Sequence, residues 1–344
     1  MLPQQSILLW IVLGSLAISF HHLVSRWGLN GIQERGGSPL RFLAWGFSLT
    51  ALLFGSSYLL TWGWSMPKEL LPGFWSATLA GTLANYAIQY LNAKASTYKV
   101  GEVSLTAPLS AMTPGLITIL AFTLGEVPGI AGFVGIGCMA LGSWIIAFPL
   151  REKPTHWWGY LRPFRQLRLI THYRTLGEGD RKRTVVVWFM LVAACFGTIG
   201  ILCDGLYPRR GGDIQGMWLA LVVLFGGLAA GYLVPYLLQP SSVKRNSGSL
   251  REPKFLAAVI LWALLWLTIQ WLVKPLYFET YVAYVGTLYR LNILFTVLLG
   301  WLLFKEQDIK KRFGVATLVI VGALLIASED LPARLTSKLE VFGF

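Results

Sequence analysis

Two stretches of the sequence, "LGEVPGIAGFVGIGCMALGSWIIA" (124–147) and "FKEQDIKKRFGVATLVIVGALLIA" (304–327), share one design. Each begins with a short polar segment that holds a glutamate, Glu126 or Glu306. Each then continues as a run of about twenty mostly apolar residues rich in Gly and Ala, which is long enough to cross a membrane as a helix. The chain therefore carries the same ending twice.

The two endings are separated by a constant interval. Adding 180 to the numbers of Glu126 and Gly142 gives Glu306 and Gly322. That interval is a little over half of the 344 residues, so the pattern predicts two halves of similar construction.

The composition indicates an integral membrane protein. Hydrophobic residues make up 55% of the chain and charged residues 13%, and the mean hydropathy is +0.59. A soluble domain of ordinary composition carries about 25% charged residues. We therefore expect a multi-pass protein of the plasma (inner) membrane, with the lipid bilayer as its first partner.

Ten apolar runs predict ten membrane-spanning helices, because open strands cannot satisfy their backbone hydrogen bonds in lipid. They fall near 6–25, 39–60, 71–94, 100–124, 128–148, 184–205, 214–238, 255–277, 280–304 and 312–328. Five runs lie on each side of a polar segment, 149–183.

An odd number of spans per half predicts an inverted repeat, because the second half then enters the membrane from the opposite face. We expect an all-α integral membrane fold of ten transmembrane helices, arranged as two inverted five-helix repeats. The predicted segments are a first repeat 1–148, a basic aromatic linker 149–183, a second repeat 184–328 and a C-terminal tail 329–344.

The stretch "LNAKASTYKVGEVSLTAPLSAMTPGLITILAFTLGEVPGIAGFVGIGCMALG" (91–142) resembles one repeat of the drug/metabolite transporter (DMT) superfamily, EamA-like family. The matching positions are Pro114, Glu126, Gly135 and Gly142. The second copy keeps Glu306 and Gly322, has Gly314 one residue early, and lacks the proline. The resemblance implies a ten-helix transporter that moves small metabolites through a central cavity.

The charge distribution and the family resemblance predict opposite orientations of the chain in the membrane. Most of the 29 lysines and arginines fall in loops on one face, including the linker, whereas Lys274 is assigned to a loop on the other face. Because positive loops stay cytoplasmic, this bias predicts that both termini lie outside. The resemblance implies that both termini are cytoplasmic.

Arg290 is the sharpest functional signal, because it lies near the middle of the predicted span 280–304. An arginine at that depth is costly unless it faces protein or water. It is predicted to bind a carboxylate or phosphate of the substrate, or else to serve as a structural partner for a helix carbonyl or for Glu102. Thr287, Tyr284 and Asn292 lie near it on the same helix.

Polar residues recur at helical spacing in two further spans. In the third span the pattern predicts a polar stripe that lines a cavity or forms hydrogen bonds between helices. The fourth span repeats the pattern. The predicted substrate-binding residues are Arg290, Asn85, Gln89, Asn92, Ser110, Thr106, Thr287, Tyr284 and Asn292.

Glu102, His21 and His22 are the candidates for coupling transport to protons, because each can titrate within or near a span. Few of the 16 carboxylates can reach into the membrane, and proton-driven pumps usually contain a buried acidic relay. A facilitator or exchanger is therefore favoured over a proton-coupled antiporter.

The sequence offers no sign of an enzyme. It contains no G-x-S-x-G and no H-E-x-x-H motif, so we predict no catalytic residues, metal or cofactor.

The linker interleaves arginines with Trp157 and Trp158, which favours a topology anchor or an anionic lipid surface over nucleic acid. A transporter of a small-molecule metabolite is predicted, and the alternative is a non-transporting scaffold or sensor on a transporter fold. A homodimer is left open.

Overall fold

The computed structural model of the chain describes residues 4–29, 38–96, 113–147, 156–161, 177–246, 250–292, 294–295, 298–299 and 309–328. These residues are almost entirely helical, and no strand occurs among them. The helices before the linker are α1 (Gln4–Leu29), α2 (Leu40–Trp62), α3 (Phe74–Ser96), α4 (Thr113–Ala121) and α5 (Ile130–Ala147). Those after it are α6 (Glu178–Arg210), α7 (Ile214–Leu238), α8 (Ser241–Asn246), α9 (Pro253–Val273), α10 (Leu276–Glu279), α11 (Val282–Leu288) and α12 (Ile309–Ala327).

Several of these helices can cross a membrane, which makes this an all-helical, multi-pass membrane protein. Within the described residues, five segments have the length and apolar composition of a span: Leu9–Leu29, Leu40–Trp62, Val187–Arg210, Ile214–Leu238 and Pro253–Phe278. Three shorter apolar helices cover Thr113–Leu124, Ile130–Ile145 and Thr317–Ile326.

Helix α6 is longer than the predicted span 184–205. It begins at Glu178, inside the predicted linker, and ends at Arg210. Its 33 residues correspond to about 50 Å, against a hydrocarbon core of about 30 Å. Hydropathy alone does not detect the polar first turns, which are helical although they are not apolar.

One predicted span is not a single continuous helix, and another is described only in part. In the span 280–304, α11 ends at Leu288 and a turn follows. In the span 100–124, the description begins at Thr113, so Glu102, Thr106 and Ser110 lie outside the described residues.

The chain forms two compact units, and each takes helices from both halves of the sequence. Unit A comprises Leu2–Tyr86 and Ile199–Glu279. Unit B comprises Ala87–Thr198 and Thr280–Phe344. Helices α3 and α6 contribute residues to both units, so the compact units do not coincide with the two sequence halves.

In unit A, α2 packs against α7 and α9, and α1 packs against α9. The centre of the unit is aromatic: Phe54 stacks on Phe225 with ring centroids 4.8 Å apart, and Phe47 meets the Trp262 ring edge-on at 4.8 Å. All four side chains are buried. Aromatic packing of this kind supplies much of the contact between the helices of unit A.

In unit B, α5 packs against α12, and α11 packs against α4 and α5. Glycines form the α5–α12 crossing, because a Cβ on Gly135 would lie 2.6 Å from the carbonyl oxygen of Gly322. A Cβ on Gly142 would lie 2.6 Å from Val319 Cγ2. These glycines allow the backbones of α5 and α12 to approach closely.

Candidate functional site

The helix that carries Arg290 is interrupted beside that residue. The backbone N–H of Arg290 donates to the carbonyl of Thr287 at 2.9 Å, and that of Asn292 donates to Tyr289 at 3.0 Å. These are bonds between residues three apart, whereas an α-helix bonds residues four apart. The backbone is therefore tightened into a turn where a continuous span was predicted.

The side chain of Arg290 is half-buried, and its Nε lacks a hydrogen-bond partner among the described residues. Thr287, one turn earlier, is fully buried, and its Oγ1 also lacks a partner in the described part of the chain. Residues three apart lie on the same face of a helix. Two buried groups that can donate hydrogen bonds thus lie on one face of the interrupted segment, where an anionic oxygen would satisfy them.

Tyr284 and Asn292 flank this pair, and both are buried. Tyr284 packs its hydroxyl against Gly132 of α5, where any larger residue would collide with it. The structure therefore brings together four of the predicted site residues, Tyr284, Thr287, Arg290 and Asn292, in one segment of unit B.

Glu126 anchors the beginning of the same helix, a role that was not predicted from the sequence. Its side chain is buried, and Oε2 accepts hydrogen bonds from the backbone N–H groups of Val282 at 2.8 Å and Ala283 at 3.4 Å. A carboxylate at this position accepts hydrogen bonds from first-turn amides that have no partner within the helix, and it complements the positive end of the helix dipole. Glu126 thereby positions the segment that carries Arg290.

Three residues of the predicted polar stripe of α3 are half-buried, and they are divided between the two units. Asn85 belongs to unit A, and Gln89 and Asn92 belong to unit B. The amide of Asn85 donates to the carbonyl of Gly81 in its own helix at 2.9 Å, so this bond does not join two helices. Ser110, Thr106 and Glu102 are not among the described residues.

The two histidines occupy different environments in unit A. His22 is exposed, whereas His21 is buried and packs its ring 5.0 Å from Trp262 and 4.9 Å from Trp266. The His21 Nε2 has no hydrogen-bond partner among the described residues. His21 is therefore part of the aromatic interior that joins α1 to α9.

Lys274 was predicted to lie in a loop, and the structure places it in the turn that follows α9, where its burial was not predicted. The residue directly follows α9, is 1% exposed, and places its Nζ 2.8 Å from Oδ1 of Asp204 in α6. A lysine next to a proline at the end of an apolar run has the appearance of a loop residue in sequence. Only the packing of α9 against an acidic residue of another helix explains why it is buried.

Aromatic rings enclose this ion pair. The Lys274 ammonium lies 5.0 Å from the ring centroid of Tyr207 and 5.4 Å from that of Tyr277. The Tyr207 hydroxyl donates to the same Asp204 Oδ1 at 3.2 Å. The cation is therefore stabilised by a carboxylate and by two π faces.

No grouping of three or more His, Cys, Asp or Glu side chains that could hold a metal ion occurs in the part of the chain that the structure describes. The three cysteines are free: Cys203 is buried, Cys138 is half-buried and Cys195 is exposed.

Comparison with known proteins bears on the fold alone. No family model and no curated protein matches the sequence. One solved structure, described as "Crystal structure of protein", is similar over 96% of this chain and 97% of its own, with a TM-score of 0.59 and 14% sequence identity. The helical arrangement is therefore shared almost from end to end with a chain whose sequence is largely different.

Proposed function

We propose that this protein is a membrane transporter that moves a small anionic or zwitterionic metabolite by alternating access, with Arg290 as the cation that orients the substrate. The proposed architecture is ten transmembrane helices in two inverted five-helix repeats, as in the EamA-like transporters of the DMT superfamily that the sequence resembles.

The observation that carries this proposal is the interrupted helix around Arg290. Buried polar groups are almost always hydrogen-bonded, so Arg290 Nε and Thr287 Oγ1 require an explanation. A substrate carboxylate or phosphate supplies acceptors for both. Interrupted helices with polar side chains at the break form the substrate sites of many secondary transporters.

The packing of unit B supports the inverted repeat. Gly142 lies against Val319, where an added Cβ would be 3.2 Å from the Val319 backbone N. Adding 180 to 142 and subtracting it from 319 gives Gly322 and Met139. Those two residues are also in contact, with an added Cβ on Gly322 lying 2.9 Å from the Met139 N. Contacts that recur when the two halves are exchanged are expected of a pseudo-two-fold axis.

In unit A, contacts also recur when each residue is replaced by its counterpart in the other half of the chain, but the interval between counterparts is different. Adding 171 to Phe47 and Phe54 gives Trp218 and Phe225. The Phe54–Trp218 rings lie 5.3 Å apart, and their counterparts Phe47 and Phe225 lie 6.2 Å apart. The stack of Phe54 on Phe225 joins one position to its own counterpart. The two intervals differ because the connections between the helices differ in length.

A pseudo-two-fold relation within each unit is the property that alternating access requires, since exchanging the conformations of the two halves exchanges the side that is open. A scaffold or sensor on the same fold would not need buried donors without partners at a helix break. These donors therefore favour transport over that alternative.

A thermal-shift screen of the purified protein tests the proposal, using amino acids, organic acids, sugar phosphates and nucleotides. We expect at least one anionic or zwitterionic compound to raise the melting temperature of the wild type and to leave that of Arg290→Gln unchanged. Thr287→Val should weaken the same shift, because it removes the hydroxyl and keeps the volume.

Arg251→Gln is the matched control, because Arg251 is exposed outside the spans and its replacement should leave the ligand-induced shift intact. A shift that survives in Arg290→Gln would make Arg290 structural and contradict the proposed site. An absence of any shift, in a sample that unfolds cooperatively, would favour the scaffold or sensor.

A further inference from the structure

One end of unit A carries two cations that lie close together without a carboxylate partner. Arg41 lies in the first turn of α2, and Lys244 lies in the short helix α8 that follows α7. Neither side chain forms an ion pair with a carboxylate of the residues that the structure describes. The charges of both side chains are therefore left uncompensated by the protein.

Backbone carbonyls and one aromatic ring hold the two cations in place. Nη1 of Arg41 donates to the Lys244 carbonyl at 2.9 Å, and the Lys244 ammonium donates to the Leu237 carbonyl at 2.6 Å. The centroid of the Tyr236 ring lies 5.9 Å from the Arg41 guanidinium carbon and 5.8 Å from the Lys244 nitrogen. Like charges held around one ring repel each other, and an anion that binds both of them offsets this repulsion.

The guanidinium of Arg41 also has a donor that is not used. Its Nε is buried and has no hydrogen-bond partner among the described residues. Buried polar groups are almost always hydrogen-bonded, so this nitrogen requires an acceptor. A guanidinium presents its N–H groups as a planar fork that matches two oxygens of a phosphate. The first turn of α2 contains no acidic residue, so the positive end of its dipole favours an anion at the same place.

The surface beside these cations is apolar and lies where membrane helices end. Both α2 and α7 have the length and composition of a span. Arg41 is the second residue of α2, and Leu237 and Leu238 are the last two residues of α7. The side chains of these leucines are 58% and 80% exposed. Groups that can bind a phosphate and groups that can contact an acyl chain are therefore neighbours.

The surrounding charges also favour an anion. The start of α9 lies at the same end of unit A, because Phe255 packs its ring 6.0 Å from that of Phe42 in α2. The described residues at this end carry four cations and one carboxylate: Arg41, Lys244, Arg251, Lys254 and Glu252. Basic clusters directly beside membrane spans attract the head groups of anionic lipids.

We propose that Arg41 and Lys244 bind the phosphate of an anionic phospholipid whose acyl chains lie against Leu237 and Leu238. The phosphate oxygens accept hydrogen bonds from Arg41 Nε and from the Lys244 ammonium, which has three N–H groups and gives one of them to Leu237. The bound lipid joins the start of α2 to α8 and stabilises this end of unit A. The exposed leucines favour a lipid over a soluble phosphate, which has no chain to place on them.

Thermal unfolding of the purified full-length protein in detergent tests the proposal without any transport substrate. Phosphatidylglycerol is added to delipidated protein, and phosphatidylcholine with the same acyl chains is the comparison without net charge. Glycerol 3-phosphate supplies the phosphate without the chains. We expect phosphatidylglycerol to raise the melting temperature in a saturable manner, and we expect the other two compounds to leave it unchanged.

Substitutions locate the site. Arg41→Gln and Lys244→Gln should each raise the phosphatidylglycerol concentration needed for half of the maximal shift by at least about tenfold, because each removes a charged hydrogen bond to the phosphate. Each shift is measured from the melting temperature of the same variant without lipid, so a change in basal stability does not enter.

Lys254→Gln is the matched control at the same end of unit A. This lysine is exposed, and its ammonium lies 5.7 Å from the Trp27 ring rather than beside Tyr236. Its replacement should change the half-maximal concentration by less than about threefold, because exposed charges contribute little.

Four results would overturn the proposal. Equal shifts with phosphatidylcholine would show that the chains alone bind, and an equal shift with glycerol 3-phosphate would show that the site takes a soluble anion. An equal loss in Lys254→Gln would show a diffuse attraction to this end of the protein. The fourth result is the absence of any shift with phosphatidylglycerol.

If Arg41→Gln does not fold, Lys244→Gln decides alone, because the Lys244 side chain bonds only one carbonyl, at the end of α7. Arg290→Gln should respond to phosphatidylglycerol as the wild type does. A failure of the lipid shift therefore leaves the proposed substrate site untouched, and a failure of the substrate-induced shift leaves the lipid site untouched.

Discussion

Oε2 of Glu126 lies 2.8 Å from the backbone nitrogen of Val282, in a buried contact between residues 156 positions apart. It joins the loop before α5 to the first turn of the helix that leads to Arg290. The glutamate that marks the first copy of the repeated motif is therefore a structural anchor for the segment with the proposed substrate site.

Removing this carboxylate should destabilise the protein. Glu126→Ala is expected to lower the free energy of unfolding by about 2 to 3 kcal/mol, because it leaves two buried amides without an acceptor. Glu126→Gln keeps one acceptor oxygen and should lose less. Chemical denaturation in detergent measures both, with Val127→Ala, at a 53% exposed neighbour, as the control. Equal stability of Glu126→Ala and the wild type would show that the hydrogen bonds to the Glu126 carboxylate contribute nothing to the free energy of unfolding.

The crossing of α5 and α12 should be intolerant of any side chain on its central glycines. Gly135→Ala brings a methyl group to 2.6 Å from the Gly322 carbonyl oxygen, and backbone cannot move aside easily. We expect a loss of about 1 to 3 kcal/mol in the free energy of unfolding.

Gly137 gives the matched control, because it lies on the same helix with nothing within 4 Å of an added Cβ. Gly137→Ala should be neutral or stabilising by up to about 1 kcal/mol, since alanine favours the helix. If Gly135→Ala and Gly137→Ala changed the melting temperature in the same direction, the close contact between α5 and α12 at Gly135 would be contradicted.

A similar contrast is expected in unit A. Gly46→Ala places a methyl group 2.8 Å from the Trp262 ring, which is buried and held by a hydrogen bond from its Nε1 to Ser25 Oγ at 2.8 Å. A loss of about 1 to 3 kcal/mol should follow. Gly55→Ala, on the same helix α2 but with nothing within 4 Å of an added Cβ, should cause no loss.

Coupling between the two partners identifies the cause of that loss. Trp262→Phe creates room, so the double variant with Gly46→Ala should be more stable than the sum of the single effects predicts. Strict additivity in thermal unfolding would indicate that Gly46 and Trp262 do not interact in the folded protein.

The sequence was informative wherever hydrophobicity or local spacing determines the structure. Apolar runs located the five described segments that can cross a membrane, and two glycines of the repeated motif, Gly142 and Gly322, lie at the contact between α5 and α12. Tyr284, Thr287 and Arg290 were brought together because they lie on one short segment. Each of these inferences depends on residues that are neighbours along the chain or share one helix face.

What the sequence could not supply were contacts between distant residues. Lys274, followed by Pro275, has the local character of a loop, and only Asp204 on another helix accounts for its burial. The hydrogen bonds of Glu126 depend on where α11 begins. Polar residues in the first turns of α6 are helical because the helix continues from its apolar part, which hydropathy does not detect.

The most direct test of the proposed function is transport itself. Purified protein is reconstituted into liposomes, a mixture of amino acids, organic acids, sugar phosphates and nucleotides is added outside, and the lumen is analysed by mass spectrometry. We predict that at least one anionic or zwitterionic compound enters wild-type vesicles faster than protein-free vesicles, and that Arg290→Gln abolishes this entry while Arg251→Gln does not. Equal lumenal contents in wild-type and protein-free vesicles, from protein that is folded and inserted, would contradict the assignment as a transporter.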